Sequence, residues 1–248
     1  MKNFNFLYLA ISVFFLASCG GGDTDPVTPP VDPITPTVYT GEITEDVTWT
    51  SNNIYELDGR VTVTSGVTLT IEAGTVIKAQ GGQDADASCL LVARGGMLMA
   101  NGTATMPIIF TSIADNISNT HANFPGLANL NATQKGLWGG VIVLGNAPIS
   151  ASTAAVQIEG IPASDPNGLY GGTDAADNSG SLTYVQIRHG GTNIGEGNEI
   201  NGLTLGGVGT GTTISHIEVL GNVDDGIEFF GGTVNASNLL VWGQGDDA

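Results

Sequence analysis

The chain is poor in the residues that most binding chemistries need. Its 248 residues include 6 Lys and Arg against 24 Asp and Glu, giving a formal charge of −18. So acidic a chain repels phosphate backbones, which excludes nucleic acid as a partner. The same acidity keeps an exported protein soluble and leaves divalent cations as its natural charged ligands. Aromatic residues make up 6% and charged residues 12%. The three histidines, His121, His189 and His216, are scattered without metal-ligand spacing. No amphipathic helical period is visible, which argues against a bundle. Cysteine is nearly absent: there are two, Cys19 and Cys89.

The one long apolar run is N-terminal. Lys2 precedes Phe4 to Leu16, a stretch too short to span a bilayer comfortably, and LASC (Leu16 to Cys19) follows. Residues 1–18 therefore read as an export signal. LASC followed by Gly20 resembles a bacterial lipoprotein signal, which implies cleavage before Cys19 and lipidation of that cysteine. Removing Lys2 with the signal moves the charge from −18 to −19. Only Cys89 then remains, so no intramolecular disulfide can form in the oxidising compartment outside the cell. Its setting, SCLLVA, reads as a strand that buries it as a small hydrophobe. Residues 19–38 form a stalk, because five prolines among Gly, Asp and Thr prevent a packed core. Its Gly/Asp-rich start resembles the surface-export signal of Bacteroidota lipoproteins, implying an outer-membrane protein exposed on the cell surface.

What the chain does have is glycine, 37 residues of it, and alternating Val, Ile, Leu and Thr. Residues 215–226 (SHIEVLGNVDDG) and 237–248 (SNLLVWGQGDDA) overlay at a step of 22, matching Ser, Val, Gly and both Asp. A strand-only repeat of that length is one coil of a parallel β-helix. IEAGTVIKA (71–79) overlays VARGGMLMA (92–100) at a step of 21, aligning Gly74 with Gly95 and Ala79 with Ala100. Residues 39–59 are expected to cover the open end of the solenoid. Excursions are expected at about 113–136 and 160–181, where the alternation lapses. The folded domain thus spans residues 39–248, and its last repeat unit breaks off at Ala248, as a truncated solenoid would.

Four segments, ARGGMLMANGTATMPIIFTS, GLWGGVIVLGNAPI, GLYGGTDAADNSGSLTYVQIRHGG and NVDDGIEFFGG, resemble a family of Bacteroidota surface lipoproteins. That family is predicted to form pectin-lyase-like right-handed parallel β-helices. The resemblance covers roughly residues 55 to 248. It implies the fold and no particular activity.

The repeat also predicts which side chains stack. Val185, Ile187, Ile217, Val219, Leu239 and Val241 should fill the interior, and the opposite parity should form outward rows. Those rows are Tyr184–His216–Asn238, Gln186–Glu218–Leu240 and Arg188–Leu220–Trp242. The step of 32 in each row implies an inserted loop at 193–200. Tyr184, Gln186, Arg188, His216, Glu218 and Trp242 are the candidate ligand-binding residues, because aromatic rings beside polar groups suit sugars. The competing reading folds the second excursion over this face and buries Leu220, Leu240 and Trp242 as a satellite core.

Asp224 over Asp246 and Asp225 over Asp247 make an acidic ladder about 4.8 Å apart. At an effective dielectric of 20 each pair repels by roughly 3.5 kcal/mol, against about 1 kcal/mol in water. These four are the candidate metal ligands, with Ca²⁺ the fitting ion. The structural reading is preferred: Asp closes turns through nearby backbone amides, and no complete calcium motif is present. The GGVGTG run (206–211) lacks the strand-to-helix context of a phosphate cradle and reads as turns.

Three functions stay open. The leading one is a lipid-anchored surface module, binding or adhesive, with a polysaccharide as its ligand and no cofactor required. The alternative is a polysaccharide lyase or glycoside hydrolase using Arg188, Glu218, Asp224 and Asp246. Gly245-Asp246-Asp247 resembles the paired aspartates of polygalacturonases, but their accompanying Asn-Thr-Asp, Gly-His-Gly and Arg-Ile-Lys motifs are absent. The third is a passive spacer.

Overall fold

The computed structural model describes residues 35–119, 125, 128–195 and 198–248. The export signal, Cys19, the stalk up to residue 34 and His121 lie outside the described residues. The alternating apolar pattern produces short strands and no α-helix among the described residues. In chain order they begin with β1 (Thr37–Ile43), β2 (Val47–Trp49), β3 (Ile54–Val63), β4 (Thr68–Ile71), β5 (Val76–Ala79) and β6 (Cys89–Val92). Next come β7 (Met97–Asn101), β8 (Ile108–Ser112), β9 (Val141–Leu144), β10 (Val156–Gln157), β11 (Leu169–Tyr170) and β12 (Gly180–Arg188). The last are β13 (Asn193–Gly195), β14 (Asn198–Glu199), β15 (Leu203–Gly206), β16 (Thr213–Leu220), β17 (Ile227–Phe230) and β18 (Ala236–Trp242).

These strands stack into three parallel faces, which defines a parallel β-helix. The first face holds β2, β4, β7 and the leading halves of β12, β16 and β18. The second runs through the leading halves of β1 and β3, then β5, β8 and the trailing halves of β12, β16 and β18. The third comprises the trailing halves of β1 and β3, then β6, β9, β15 and β17. The chain visits second, third and first faces in turn. Inward residues such as Leu57, Leu69, Leu90, Leu98, Phe110 and Leu182 form one continuous core.

The 22-residue step is a true stacking distance: Val47 pairs with Leu69, and Ile217 with Leu239. The 21-residue step is not. Leu69 pairs with Leu98, 29 residues on, and Ile77 pairs with Phe110, 33 residues on. Gly74 and Gly95 both take positive φ, 84° and 85°, in corner turns. They sit at different corners, between β4 and β5 and between β6 and β7 respectively. The overlay matched turn chemistry while slipping by one face.

The first residues are also more than a cover. β1 and β2 belong to the first coil itself, and β1 pairs in parallel with β3. Inside it Trp49 stacks on Tyr55 (centroids 5.0 Å, planes 13° apart) and meets Tyr39 at 5.0 Å.

The first excursion lies between β8 and β9, and the second begins earlier than its expected start near residue 160. Residues 145–179, between β9 and β12, carry the antiparallel pair β10–β11. They bring Ile158, Ile161 and Tyr170 onto the outer side of the third face, against Cys89, Leu91, Ile142 and Leu144. The Arg60–Asp165 ion pair at 2.7 Å fastens this layer. Cys89 is buried in the seam, and burial pushes its thiol up to about 12, which keeps it protonated and unreactive. The first excursion packs Ile117 on Val76 and Ile109 of the second face. The second excursion therefore does not cover the row containing Trp242, because it is engaged on a different face.

Candidate functional site

β12, β16 and β18 lie side by side and in register, with Val185, Ile217 and Leu239 stacked, and Gln186, Glu218 and Leu240 beside them. The inserted loop at 193–200 is the small β13–β14 hairpin, which leaves this register intact. Val185, Ile187, Ile217 and Val219 are buried in the core. Leu239 shares their inward register but is 40% exposed, because among the described residues no strand stacks beyond β18.

Each of these three strands bends where the first face meets the second. The residue at the bend is Tyr184, His216 or Asn238, with φ of 50°, 56° and 55°. Asn and His tolerate the left-handed region, whereas it strains a bulky tyrosine. Tyr184 recovers part of that cost by stacking on His216, with ring centroids 4.2 Å apart and planes 17° apart. The bend turns this column outward beside the Gln186–Glu218–Leu240 column. Between the two runs an open groove of about 230 Å³ parallel to the solenoid axis, with Thr103, Ala104 and Pro107 at its lower end.

The polar groups of the groove are ordered. Glu218 is held on its far side by the Trp242 indole, whose Nε1 donates to Oε1 at 3.2 Å, and by Arg188 at 3.8 Å. Arg188 also donates to Gln186 Oε1 at 2.9 Å. His216 Nδ1 is paired with the Ser215 hydroxyl at 2.8 Å. The six candidate binding residues thus divide: Tyr184, Gln186, His216 and Glu218 line the groove, while Arg188 and Trp242 lie outside the lining and brace Glu218. Leu220 is buried, whereas Trp242 and Leu240 remain exposed. Beside this edge the first excursion packs Ala132 against Gly221 and Gly243. Thr103 and Pro107 were not legible as groove residues, since β8 and β12 pair across a 77-residue gap (Phe110 with Ile187).

The acidic ladder lies apart, in the turns that lead from the second face to the third. Carboxylate oxygens of Asp224, Asp225 and Asp246 come within 4.8 Å of one another. Asp225 Oδ1 also accepts from the Asp247 backbone N–H at 2.9 Å, which ties one coil to the next. That bond reaches across coils and is not the local turn-closing bond expected of Asp. Nearby, Asn201 Nδ2 donates to Glu228 Oε2 at 2.6 Å. Burial holds the Glu228 carboxyl above its ordinary value, and the neighbouring charges of Glu159, Asp225 and Asp224 add to that. Arg188 and Glu218 stand on the second face and the Asp residues at this corner, so the four candidate catalytic residues belong to two separate settings.

His189 belongs to neither. It is fully buried, with Nδ1 2.6 Å from the Gln134 carbonyl and Nε2 3.9 Å from Asp115 Oδ2, and it fastens the first excursion to the coil. Desolvation lowers its pKa; the Gln134 bond and the Asp115 charge oppose that, and Arg188 adds to it.

The architecture is a parallel β-helix: three parallel faces, with loop excursions between the strands. The chain belongs to the pectate-lyase-like β-helix domain family, whose model matches residues 41–248. Comparison with curated proteins and with solved structures returns no match.

Proposed function

We propose that this protein is an exported, lipid-anchored surface module that binds a polysaccharide along the groove between the Tyr184–His216–Asn238 and Gln186–Glu218–Leu240 columns. The observation that carries this reading is the groove itself. It is open, runs along three stacked coils and mixes ring edges and aliphatic carbon with fixed hydrogen-bonding groups, as sugar sites do. The family's description names a fold, and this fold hosts many functions. Affinity electrophoresis of the folded domain against a panel of polysaccharides tests the reading. Retardation is expected on at least one, without new reducing ends or unsaturated products. Product release abolished by Asp224→Asn or Glu218→Gln would instead establish the lyase or hydrolase reading. Uniform mobility across the panel would refute binding.

The anchoring half of the proposal rests on Cys19 in its LASC setting. Cys19→Ala should move the protein from the membrane fraction to the soluble fraction. Continued membrane retention through an uncleaved signal would refute lipidation.

A further inference from the structure

The geometry points to an uncharged glycan as the ligand of this groove, with anionic polymers such as polyuronates rejected. This inference rests on the glycan-binding reading and sharpens it to a substrate class. Its first support is the inventory of free groups. The Tyr184 hydroxyl, His216 Nε2, Gln186 Nε2 and Asn238 Oδ1 have no protein partner among the described residues, while their neighbouring atoms are already committed to Ser215, Ser237 or Arg188. This set contains donors, acceptors and groups that can be either. Sugar hydroxyls match it because each both donates and accepts. A carboxylate or sulfate group offers acceptors alone, so placed at this set it would leave Asn238 Oδ1 unmatched.

The second support is charge. The one charged side chain in the groove lining is Glu218. The cation nearest it, Arg188, is outside the lining and is turned to Glu218 and Gln186. The other basic side chains whose hydrogen bonds are resolved are committed elsewhere: Arg60 to Asp165, Lys78 to the Asp115 carbonyl and Arg94 to the Gly171 carbonyl. Lys135 lies beside Gly245, at the corner of the acidic ladder. An anionic polymer entering the groove thus meets a carboxylate with no Lys or Arg among the lining residues, on a chain of formal charge −18. Like charges placed together act as a specificity device against the wrong partner.

The third support is length. Three coils at about 4.8 Å spacing put roughly 10 Å between Tyr184 and Asn238, enough for about two pyranose rings laid along the axis. The ring faces of Tyr184 and His216 are turned to each other, so the sugar contacts their edges and polar tips rather than a free stacking platform.

Isothermal titration of the folded domain with neutral β-linked hexose or pentose oligosaccharides, and in parallel with oligogalacturonate, tests the proposal at low and high salt and with and without Ca²⁺. At least one neutral oligosaccharide should bind with a Kd that changes less than about twofold with salt, since no ion pair is formed. Oligogalacturonate should bind at least about tenfold more weakly, and Ca²⁺ should not rescue it. Tyr184→Ala should weaken neutral binding about tenfold, and so should His216→Asn, whose replacement tolerates the left-handed backbone and so keeps the fold. If oligogalacturonate binds more tightly than every neutral sugar and still depends on Tyr184, the glycan-binding reading stands and the uncharged class falls. If neutral binding survives both substitutions, the assignment to this groove falls. If neither probe binds saturably, both readings fall.

Discussion

Protonating His189 should loosen the first excursion, and the size of the effect can be worked out. The imidazole has no solvent-exposed surface, and its Nδ1 lies 2.6 Å from the Gln134 carbonyl, so that nitrogen carries the proton and Nε2 is left as an acceptor. The charges around it are the Asp115 carboxylate, 3.9 Å from Nε2, and Arg188, the preceding residue. Lys78, which donates to the Asp115 carbonyl, completes the polar cluster. Desolvation dominates and lowers the folded pKa below the ordinary 6.5. The unfolded chain therefore takes up the proton at higher pH than the folded one. Stability is full above about 6.5 and is lost as pH falls from there toward the folded pKa. For a group that stays neutral when folded, the loss between pH 7.5 and 5.5 is at most about 1.4 kcal/mol, or roughly 3–6 °C in Tm for a domain of this size. Asp115 and the Gln134 bond pull the true figure below that ceiling. Thermal unfolding followed by circular dichroism across this range should show the fall, and His189→Gln should flatten it. Hydrogen exchange at the Leu137 amide, which donates to the His189 carbonyl at 3.0 Å, should quicken in parallel. Stability that rises toward pH 5.5, or a variant that keeps the wild-type slope, would refute the reasoning.

Two further outcomes follow from the acidic corner. Glu228 has a raised folded pKa, so its cost appears as pH climbs through the ordinary carboxyl range; Glu228→Gln should raise the unfolding free energy at pH 7 by less than about 1 kcal/mol after screening, seen as a higher Tm, and lose that advantage near pH 4. Asp225→Asn keeps an oxygen that accepts from the Asp247 amide while removing one like charge, so it should be neutral or slightly stabilising, whereas Asp225→Ala should cost about 1 kcal/mol. A loss with Asn as large as with Ala would mean the charge itself is needed, as a bound Ca²⁺ would require, and Ca²⁺ should then raise the Tm of the unmodified protein.

The fold was legible because its two signals are local. Alternation fixed which of Val185, Ile217 and Val219 point inward, and the 22-residue match placed Glu218 under Leu240 and Leu220 under Trp242 as the register has them. The third signal, corner glycines, is local too, and it misled. Gly74 and Gly95 share a turn type at two different corners, so a match between them says nothing about stacking. What could not be read was anything set by long separations. Pro107 reaches the foot of the groove only because β8 lies beneath β12, with both excursions between them. The bend at Tyr184 was hidden for another reason. Left-handed backbone is usually announced by Gly or Asn, and of the three residues in this column only Asn238 fits that rule.

That violation is the most informative feature of the groove. A solenoid can turn this corner with Asn at every level, so nothing in the fold demands Tyr184 or His216 there. Placing Tyr184 there costs backbone strain, which its stacking on His216 partly offsets. The excursions bury parts of the other outer faces, Ile158, Ile161 and Tyr170 over the third and Ile117 over the lower second, yet this corner keeps its rings at the surface. Across the groove, Glu218 is braced by both Trp242 and Arg188 at the edge of solvent, where a free glutamate would be fully solvated and conformationally mobile. Fixing one carboxylate and one strained aromatic pair on opposite banks of a groove serves no packing purpose that Asn and Thr would not serve as well. It does present a ligand with preorganised polar groups, which lowers the ordering cost of binding.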